Sequence, residues 1–371
     1  MQHHQQSSKL KIEGENMKKP KILIILGTFG FGGAENMVCE LIKNIDFNKY
    51  NVSVLCTHSK NDIGLTQRVE EMCPVTFLNQ DQKIGPKQII KVMGAIGKLK
   101  PDLIHAHMGS SGFAAIWSLV CRNPVLITIH TKPEKEFSKK IEMLIRAALR
   151  FGKTKLVAVS EENLTRVKAY YGVDEHKAKC VNNGIDTNRF TRKKHSAFTL
   201  INVARHDENK NQAALIRCFA RMHREDANTR LLLLGDGDTH QNLVRLVDEL
   251  GLSDAVEFTG NIPNTEDYYA VSDVYVQCSH VEAMPISVLE AMAAGLPIVA
   301  TDVGGLRDVV KDNGILVADN DEEALYQAIL SIYKQDEKKS KAMCEESQRI
   351  VQDYSSERMA QKYEKIYQEM L

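Results

Sequence analysis

Residues 21–35 read KILIILGTFGFGGAE, and this stretch decides the class of fold. Its first part, Lys21–Leu26, is a nearly continuous apolar run, typical of parallel strands that are buried on both faces. A glycine-rich turn follows at residues 27–33, and a helical pattern runs from about residue 34 to residue 43. Strand, turn and helix in this order predict the first unit of an α/β domain with a parallel sheet.

The same alternation recurs along the rest of the chain. Further strands are predicted at residues 52–56, 103–106, 125–129, 156–159, 198–204, 230–234, 256–259, 274–277, 297–301 and 315–317. A polar, basic segment at residues 186–197 interrupts the pattern and is interpreted as a linker. From residue 321 onward the pattern is helical, and it ends in an amphipathic stretch at residues 355–371.

This pattern predicts two Rossmann-like, doubly wound domains that face each other across a deep cleft. We expect a polar extension at residues 1–16, a first domain at 17–190 and a second domain at 198–350. The helix at residues 351–371 is expected to pack back on the first domain. Ligands of open α/β sheets bind beyond the carboxyl ends of the strands, so the cleft is the expected site.

Composition narrows the class of protein. The chain has 371 residues, 43% of them hydrophobic and 26% charged, as in an ordinary globular protein. No apolar run approaches the roughly 18–20 residues of a membrane span, and residues 1–16 have no signal-peptide pattern. Eight cysteines without a C-x-x-C pair favour reduced thiols in a cytoplasmic protein over disulfides or a zinc site.

The glycine-rich turn at residues 27–33 matches no standard nucleotide motif. Glu35 stands where the third glycine of G-x-G-x-x-G would be, and no G-K-[ST] follows. This departure argues against a dehydrogenase. Glycines at such a turn permit positive φ and let backbone N–H groups approach an anion at the helix N-terminus. A plain tight turn remains the alternative.

The second domain carries two more candidate ligand loops. Arg205 and Lys210 follow its first strand, and a guanidinium and an ammonium five positions apart suit a pyrophosphate. Alone this is a weak signal, because most such pairs are solvated. Residues 231–238 (LLLLGDGD) end a strand in a turn at Gly235 that suits a ligand-facing loop or a plain turn.

Residues 282–295 (EAMPISVLEAMAAG) carry the strongest signal of chemistry. Glu290 is the only charge in an apolar helical stretch, and burying an unpaired carboxylate costs several kcal/mol. Glu290 should therefore have a dedicated partner. Glu282 precedes the helix, so backbone N–H groups of residues 284–287 would be free to bind hydroxyls or phosphate.

Three histidines lie at predicted strand ends in the first domain. His105 and His107 share one face of a strand, by the period of two in strand geometry. Metal ligation by this pair is conceivable, although no spacing supplies a third ligand. His130 ends another strand, where a cleft residue would sit, and a structural histidine is its alternative interpretation.

Together these motifs resemble the retaining glycosyltransferases of family four, which have the GT-B fold. The resemblance covers residues 21–371 in order. Its motifs are GGAE (32–35), DLIHAH (102–107), ITIHT (127–131), VAVSEEN (157–163), VNNGIDTNRF (181–190), Arg205 with Lys210, LLLLGDGD, FTGNIP (258–263) and the E-x7-E element from Glu282 to Glu290. Within the family, the resemblance is to enzymes of bacterial surface-polysaccharide assembly.

The resemblance assigns roles to residues of this chain. His130, Arg205, Lys210 and Glu282 are the implied catalytic group: Arg205 and Lys210 hold the donor diphosphate, Glu282 binds the transferred sugar, and His130 lies near the reacting centre. Glu290 would bind the nucleotide ribose. The whole implied donor site comprises Gly32, Gly33, Arg205, Lys210, Gly235, Gly260, Asn261, Ile262, Glu282, Ala283, Met284, Pro285, Ile286, Ser287 and Glu290.

The implied reaction is hexosyl transfer with retention, from a nucleotide-diphosphate donor, UDP-sugar favoured, to a hydroxyl of a glycan or lipid-linked acceptor. No D-x-D element precedes the phosphate site, so we expect no obligatory metal or other cofactor besides the sugar nucleotide. Two departures from the family pattern stand out. Ala283 replaces a common glycine, and His206 with Asp207 follows Arg205 where an apolar residue is more usual.

The basic half of the chain is the expected acceptor side. Residues 17–185 carry 25 Lys or Arg and 15 Asp or Glu, whereas residues 186–371 carry 21 and 31. Eight of these cations lie at residues 131–155, interleaved with an apolar stripe at Phe137, Ile141, Leu144, Ala148 and Phe151. Such a helix suits an anionic membrane surface, so peripheral association with the inner face of a membrane is expected; packing on the domain's own sheet is the alternative.

Other functions are less well supported by the sequence. A GT-B epimerase does not account for the ordered family match, and a phosphorylase would need a longer chain. A non-catalytic nucleotide-sugar-binding protein would be favoured if Arg205, Lys210 or Glu282 were absent, and all three are present. Nucleic-acid binding is not indicated, because the aromatic residues are not interleaved with the basic ones.

Overall fold

Two parallel β-sheets organise the computed structural model of the chain, which describes residues 18–61, 64–79 and 85–371. The predicted extension at residues 1–16 lies outside the described residues. The predicted GT-B class is confirmed: both sheets are entirely parallel, with helices on both faces. The exact domain boundaries stay a prediction.

The first sheet has the strand order β3-β2-β1-β4-β5-β6-β7. Its strands are β1 (Lys21–Leu26), β2 (Asn51–Cys56), β3 (Val75–Phe77), β4 (Leu103–His107), β5 (Val125–Ile129), β6 (Thr154–Ala158) and β7 (Ala178–Cys180). The helices between them are α1 (Gly33–Asn44), α2 (Gly64–Met72), α3 (Pro86–Leu99), α4 (Ser111–Cys121), α5 (Pro133–Glu136), α6 (Lys139–Phe151) and α7 (Glu161–Tyr171).

The second sheet has the order β10-β9-β8-β11-β12-β13. Its strands are β8 (Phe198–Val203), β9 (Thr229–Leu234), β10 (Val256–Gly260), β11 (Val274–Gln277), β12 (Ile298–Thr301) and β13 (Gly314–Val317). The helices are α8 (Gln212–Glu225), α9 (His240–Glu249), α10 (Glu266–Ala270), α11 (Ile286–Ala293), α12 (Leu306–Val309), α13 (Glu322–Tyr333), α14 (Glu337–Val351) and α15 (Ser356–Met370).

In each sheet, the strand that comes first in the sequence lies in the interior, and the later strands are added on both sides of it. β1 lies between β2 and β4, and β8 lies between β9 and β11. The loops that leave β1 and β8 therefore begin at the two switch points, where open α/β sheets leave a crevice for ligands. Those loops carry the glycine-rich turn and the Arg205–Lys210 segment.

The last helix covers the first sheet rather than the second. α15 packs along α1, and its Tyr363 and Tyr367 are almost completely buried. Ser356 N donates to the carbonyl of Ile185, where the chain has just left the first sheet. The C-terminus thus lies in the helical layer of the first sheet that also holds α1 and α2.

The strands predicted from apolar runs are all present, with ends displaced by at most two residues. β3 and β7 were not predicted, because each is a three-residue edge strand without a continuous apolar run. Within the part of the chain that the structure describes, no helix has the length and apolarity required to span a bilayer.

Candidate functional site

An ion pair joins two loops at the carboxyl edge of the second sheet. Lys210 Nζ lies 2.6 Å from Glu282 Oε1, and the two side chains are only 21% and 9% exposed. Gln277 Nε2, at the end of β11, donates to the same Oε1 over 2.7 Å. Lys210 and Glu282 were predicted to act in one catalytic group but not to contact each other, and Gln277 was not predicted, although its place at a strand end was a usable signal.

Arg205 lies in the loop after β8, at the same carboxyl edge of the second sheet. Its Nε donates to Asp207 Oδ2 over 2.8 Å, and its side chain is 74% exposed. Asp207 Oδ1 accepts from the backbone N–H of Lys210 and so caps the short 3-10 helix Glu208–Lys210. Asp207, one of the two departures from the family pattern, therefore orients the cation before it and the loop after it.

Glu290 has the dedicated partner that its apolar surroundings required. The hydroxyl of Tyr269 lies 3.1 Å from Glu290 Oε2 and also contacts the carbonyl of Ser287. Burial raises the pKa of Glu290 to about 7, although Tyr269 and the nearby charge of Arg189 lower it in part. The carboxyl group is thus poised between its protonated and ionised forms near neutral pH.

The segment before α11 is clamped between the two halves of the molecule. Ala283, Met284 and Ile286 are buried. Asn183 Nδ2, which follows β7 of the first sheet, donates to the carbonyl of Met284 over 2.9 Å. Pro285 is the N-cap residue of α11 and supplies no side-chain cap. Ser287 Oγ instead contacts Tyr275, 2.8 Å away.

The glycine-rich turn of the first sheet reaches this segment. A Cβ atom added to Gly33 would lie 3.7 Å from Ile286 Cγ1, in ordinary contact. Gly32 is the N-cap of α1 with φ −77°, so it does not use the positive φ that the sequence analysis allowed for. A Cβ there would come within 2.3 Å of Glu35 Oε2, but this atom ends a flexible side chain that can move aside, so the structure shows no strict need for glycine at position 32.

The remaining predicted donor residues lie on the adjoining loops. Gly235 N donates to the carbonyl of Gly260 over 3.0 Å, which ties the loop after β9 to the end of β10. Gly235 has φ +130°, and a Cβ there would meet the Ala204 carbonyl at 2.1 Å. Asn261 is exposed, and Ile262 packs against the large apolar core. The loops that follow β8, β9 and β10 therefore pack directly against one another.

His130, which is half-buried, pairs with the fully buried His107 at the carboxyl edge of the first sheet. His107 Nδ1 lies 3.0 Å from His130 Nε2, and burial lowers the pKa of His130 to about 4. His105 contacts Tyr367 OH and Thr128 Oγ1 at 2.7 and 2.8 Å. Both nitrogens of His105 are thus engaged, and no third ligand within the described ranges joins it and His107 in a metal-binding group.

Two family models match consecutive parts of the chain. Residues 31–189 match "Glycosyltransferase Family 4" and residues 185–350 match "Glycosyl transferases group 1". The chain belongs to the family 4 glycosyltransferases. The two matches meet at residues 185–189, within the segment that leads from the first sheet of this glycosyltransferase to the second.

Curated relatives of this glycosyltransferase act on different acceptors. The chain is 28% identical over 214 residues to N-acetyl-alpha-D-glucosaminyl L-malate synthase of Bacillus anthracis. That match covers 57% of the chain and 50% of the relative. The chain spans only about half the length of several such relatives. A Campylobacter jejuni α-1,4-N-acetyl-D-galactosaminyltransferase, named for an undecaprenol-linked diphosphate acceptor, is 24% identical over 366 residues, 94% of the chain and 99% of that enzyme.

Solved structures share the fold. Anabaena HepE in complex with UDP-glucose superposes with a TM-score of 0.81 at 22% identity, covering 94% of this chain and 99% of that one. WaaG, a glycosyltransferase involved in lipopolysaccharide biosynthesis, superposes with a TM-score of 0.75 at 16% identity over 93% and 99%. These likenesses establish the GT-B architecture of this family 4 glycosyltransferase.

Proposed function

We propose that this chain is a retaining hexosyltransferase that moves a sugar from a UDP-sugar to a hydroxyl of a glycan or lipid-linked acceptor. One observation carries the proposal. Lys210 and Glu282 are paired at 2.6 Å beside the uncapped start of α11, and Gly33 of the first sheet lies against that same start. Cation, carboxylate and free backbone donors therefore converge where the two switch points face each other.

The donor diphosphate would bind the cations. Arg205 is exposed and held in place by Asp207, so its remaining guanidinium donors can reach phosphate oxygens. Lys210 would exchange part of its contact with Glu282 for a phosphate oxygen. As the sugar–phosphate bond breaks, negative charge grows on the leaving phosphate, and fixed cations stabilise that state more than the ground state. These cations do the electrostatic work of a metal, so no obligatory cofactor is invoked.

Glu282 would then accept hydrogen bonds from hydroxyls of the sugar. Gln277 keeps one carboxylate oxygen engaged when Lys210 turns to the phosphate. Glu290 would accept hydrogen bonds from the ribose, and it accepts them more strongly when it is ionised. Because its pKa is about 7, the ribose contact should strengthen as the pH rises through neutrality.

Retention follows from attack on the same face that the diphosphate leaves. In this scheme the acceptor oxygen bonds to the anomeric carbon, the bond from that carbon to the phosphate oxygen breaks, and the departing phosphate takes the acceptor's proton. His130 would contact the donor as a neutral imidazole, since its pKa is about 4. His107, 3.0 Å away, would hold its ring in place.

The names of similar proteins support the choice of substrates. HepE binds UDP-glucose in its crystal structure, which favours a UDP-sugar here. Two Campylobacter jejuni relatives are named for acceptors on diphospho-undecaprenol, which favours a lipid-linked acceptor and a role in surface polysaccharide assembly.

A lipid-linked acceptor requires contact with a membrane, and one face of the first sheet suits that contact. Helices α3, α4 and α6 cover this face. Their outward side exposes Ile90, Val120, Met143 and Phe151, which are 63–72% exposed. The three helices carry seven Lys or Arg and one Glu. Apolar residues among cations are the chemistry of an anionic membrane surface.

The apolar stripe named in the sequence analysis is not the contacting surface. Phe137 and Ala148 are buried against the first sheet, and Ile141 and Leu144 are partly buried. Packing on the domain's own sheet, the alternative interpretation, accounts for most of that stripe. Only Phe151 of the five is exposed, and Met143 joins it on the outward side of α6.

A donor panel tests the proposal. Thermal unfolding and hydrolysis are measured with UDP-, GDP- and ADP-sugars, and we expect the largest stabilisation and turnover with a UDP-sugar. Glu282→Gln should abolish turnover, whereas Glu208→Gln, an exposed position on the neighbouring 3-10 helix, should retain it. Absence of stabilisation and turnover with every donor would overturn the proposal. If the product is an epimer of the donor sugar nucleotide, the enzyme is an epimerase and the transferase proposal is wrong.

A further inference from the structure

A cluster of metal-ligating side chains lies beside the Arg205 loop and takes no part in the proposed transfer. It consists of His206, Asp236 and His240, whose ligand atoms all lie within 4.8 Å of one another. His206 Nδ1 and His240 Nδ1 are 3.0 Å apart, and His240 Nδ1 lies 3.9 Å from Asp236 Oδ1. His206 is one of the departures from the family pattern noted above.

Three separate elements bring these ligands together. His206 follows β8, Asp236 follows β9, and His240 begins α9. The backbone locks the first two loops: His206 N donates to the carbonyl of Asp236 over 3.0 Å, and Thr239 N donates to the carbonyl of His206 over 3.1 Å. The arrangement is therefore held by main-chain hydrogen bonds that do not depend on the ligand side chains.

The aromatic surroundings also favour an uncharged imidazole pair. Phe258 packs edge-on against both rings, with centroids 5.9 Å from His206 and 5.2 Å from His240. His206 is completely buried, so its ring lies in an apolar setting beside Phe258. A neutral imidazole nitrogen is the form that binds a transition metal.

We propose that His206, His240 and Asp236 bind a divalent transition-metal ion of the Zn²⁺ class. Two imidazoles and one carboxylate, with the fourth position open, form a known type of zinc ligand set. Ligand atoms about 2.0–2.1 Å from a tetrahedral ion lie roughly 3.3 Å apart. The observed separations of 3.0 and 3.9 Å bracket that value, and all three ligand atoms lie within 4.8 Å of one another, so rotation of the exposed Asp236 and half-buried His240 side chains is needed to complete the site.

Without an ion, the two imidazoles form a hydrogen bond with each other. Their ring planes differ by only 1° and their centroids are 5.2 Å apart, so the two Nδ1 atoms face one another. The His240 side chain is 24% exposed and is free to rotate slightly toward a shared ion. The ion competes with this one imidazole–imidazole hydrogen bond.

Binding should tighten the loops around Arg205. His206 lies between Arg205 and Asp207, and a Cβ at Gly237 would come within 3.1 Å of Arg205 Cγ. An ion shared by the three ligands would cross-link the loop after β8 to the start of α9. The protein should then unfold at a higher temperature with Zn²⁺ than with a chelator.

The test uses the full chain with His3→Gln and His4→Gln, because imidazoles bind transition metals and these two adjacent histidines would compete for Zn²⁺. Zn²⁺ is titrated calorimetrically, and Co²⁺ is titrated by visible absorption as a spectroscopic probe. We expect one saturable equivalent, a tetrahedral Co²⁺ spectrum that Zn²⁺ abolishes, and a raised unfolding temperature.

Variants assign the site. His206→Leu and His240→Ala should each weaken Zn²⁺ binding by roughly tenfold or more, since even residues behind a ligand contribute about that much. His280→Ala is the matched control, because His280 pairs with Asp319 at 2.7 Å in the same half without a second histidine. Undiminished binding by His240→Ala, which leaves the buried His206 intact, or lack of any saturable binding, would overturn the proposal.

The proposed metal site and the proposed transfer reaction can be refuted independently of each other. Zn²⁺ binding is measured without any sugar nucleotide, and the donor panel is run in the presence of a chelator. Turnover without metal binding would refute the site alone, and metal binding without turnover would refute the transfer alone.

Discussion

Lys210 and Glu282 form a pair whose members have separate tasks in the proposed reaction. Lys210→Met removes the cation and leaves the 9% exposed carboxylate of Glu282 with Gln277 as its remaining partner. We expect donor turnover to fall by about 10²–10³-fold, as for other groups that stabilise transition-state charge. Stability should fall by about 1–2 kcal/mol, less than for a fully buried pair.

Lys193→Met is the matched control for Lys210→Met. Lys193 also pairs with a carboxylate at 2.6 Å, that of Asp267, but both side chains are largely exposed. Its loss should change stability by less than about 1 kcal/mol and leave kcat/KM unaltered. Steady-state kinetics and urea unfolding measure both effects. Equal loss of turnover in the two variants would contradict a specific role for Lys210.

Glu290 should make stability depend on pH. Its native pKa of about 7 exceeds its ordinary value of 4.5, so the folded protein retains a proton that the unfolded chain releases. The free energy of unfolding therefore falls as the pH rises from about 4.5 to 7 and is then constant. Glu290→Gln, which keeps a partner for Tyr269, should remove that part of the slope.

The comparison is made by urea unfolding of both proteins at pH 5 and pH 8. Glu290→Gln should gain on the order of 2 kcal/mol relative to the parent between the two pH values, after discounting for partial exposure. Glu35, Glu40 and Glu136 also have raised pKa values through burial, but they contribute equally to both proteins. Parallel pH profiles would show that Glu290 is ionised in the native state throughout.

At the scale of elements, α6 divides its residues between the first sheet and the outside. Ile145, Ala148 and Leu149 are buried, whereas Met143 and Phe151 are 71% and 63% exposed. Replacing both exposed residues by Glu should leave the core intact and weaken binding to vesicles with anionic lipid by roughly tenfold or more.

Vesicle co-sedimentation at low and high salt measures this effect. Binding of the parent protein should weaken as salt screens the cations of α3 and α6. Phe47→Glu is the control, because Phe47 is 37% exposed in the turn that follows α1, on the side of the first sheet opposite α6. If the parent protein does not bind anionic vesicles at low salt, the membrane proposal is wrong.

At the scale of the whole molecule, α15 connects the end of the chain to the first sheet through a buried polar chain. Tyr367 OH contacts His105 Nδ1 at 2.7 Å, and His105 Nε2 contacts Thr128 Oγ1, which in turn lies 3.1 Å from Tyr363 OH. Burial lowers the pKa of His105 to about 3, so this histidine is neutral.

Tyr367→Phe should leave His105 Nδ1 buried without a partner. The expected loss of stability is about 1–3 kcal/mol, the usual cost of an unsatisfied buried polar group. Tyr50→Phe provides the matched control at the same helix interface, since its hydroxyl contacts the Glu364 carbonyl at 3.4 Å and the Gln368 side chain, and not a buried histidine. Equal midpoints of chemical unfolding for the two variants would contradict this reasoning.

The division of charge along the chain also belongs to the whole molecule. The half with excess Lys and Arg holds the face with exposed apolar residues, and the half with excess Asp and Glu holds Arg205, Lys210 and the E-x7-E element. In the proposed function, the two halves therefore meet different partners, a membrane with its lipid-linked acceptor and a soluble sugar nucleotide.

Local apolar patterns were enough to predict the fold class and the positions of the main strands along the chain. Strands buried on both faces must be apolar throughout, so β1, β5 and β11 are visible as local runs whatever surrounds them. The edge strands β3 and β7 were invisible because three residues at a sheet edge need no such run. The family motifs, likewise local, singled out Glu282, Glu290, Arg205 and Lys210.

Contacts between distant side chains could not be predicted from these local patterns. Lys210 and Glu282 are 72 positions apart, and His206 and His240 are 34 apart. Each pair forms because parallel strands end at one edge of a sheet and bring distant loops together. Local pattern carries no information about such contacts, since burial, pKa and pairing depend on what the rest of the chain places nearby.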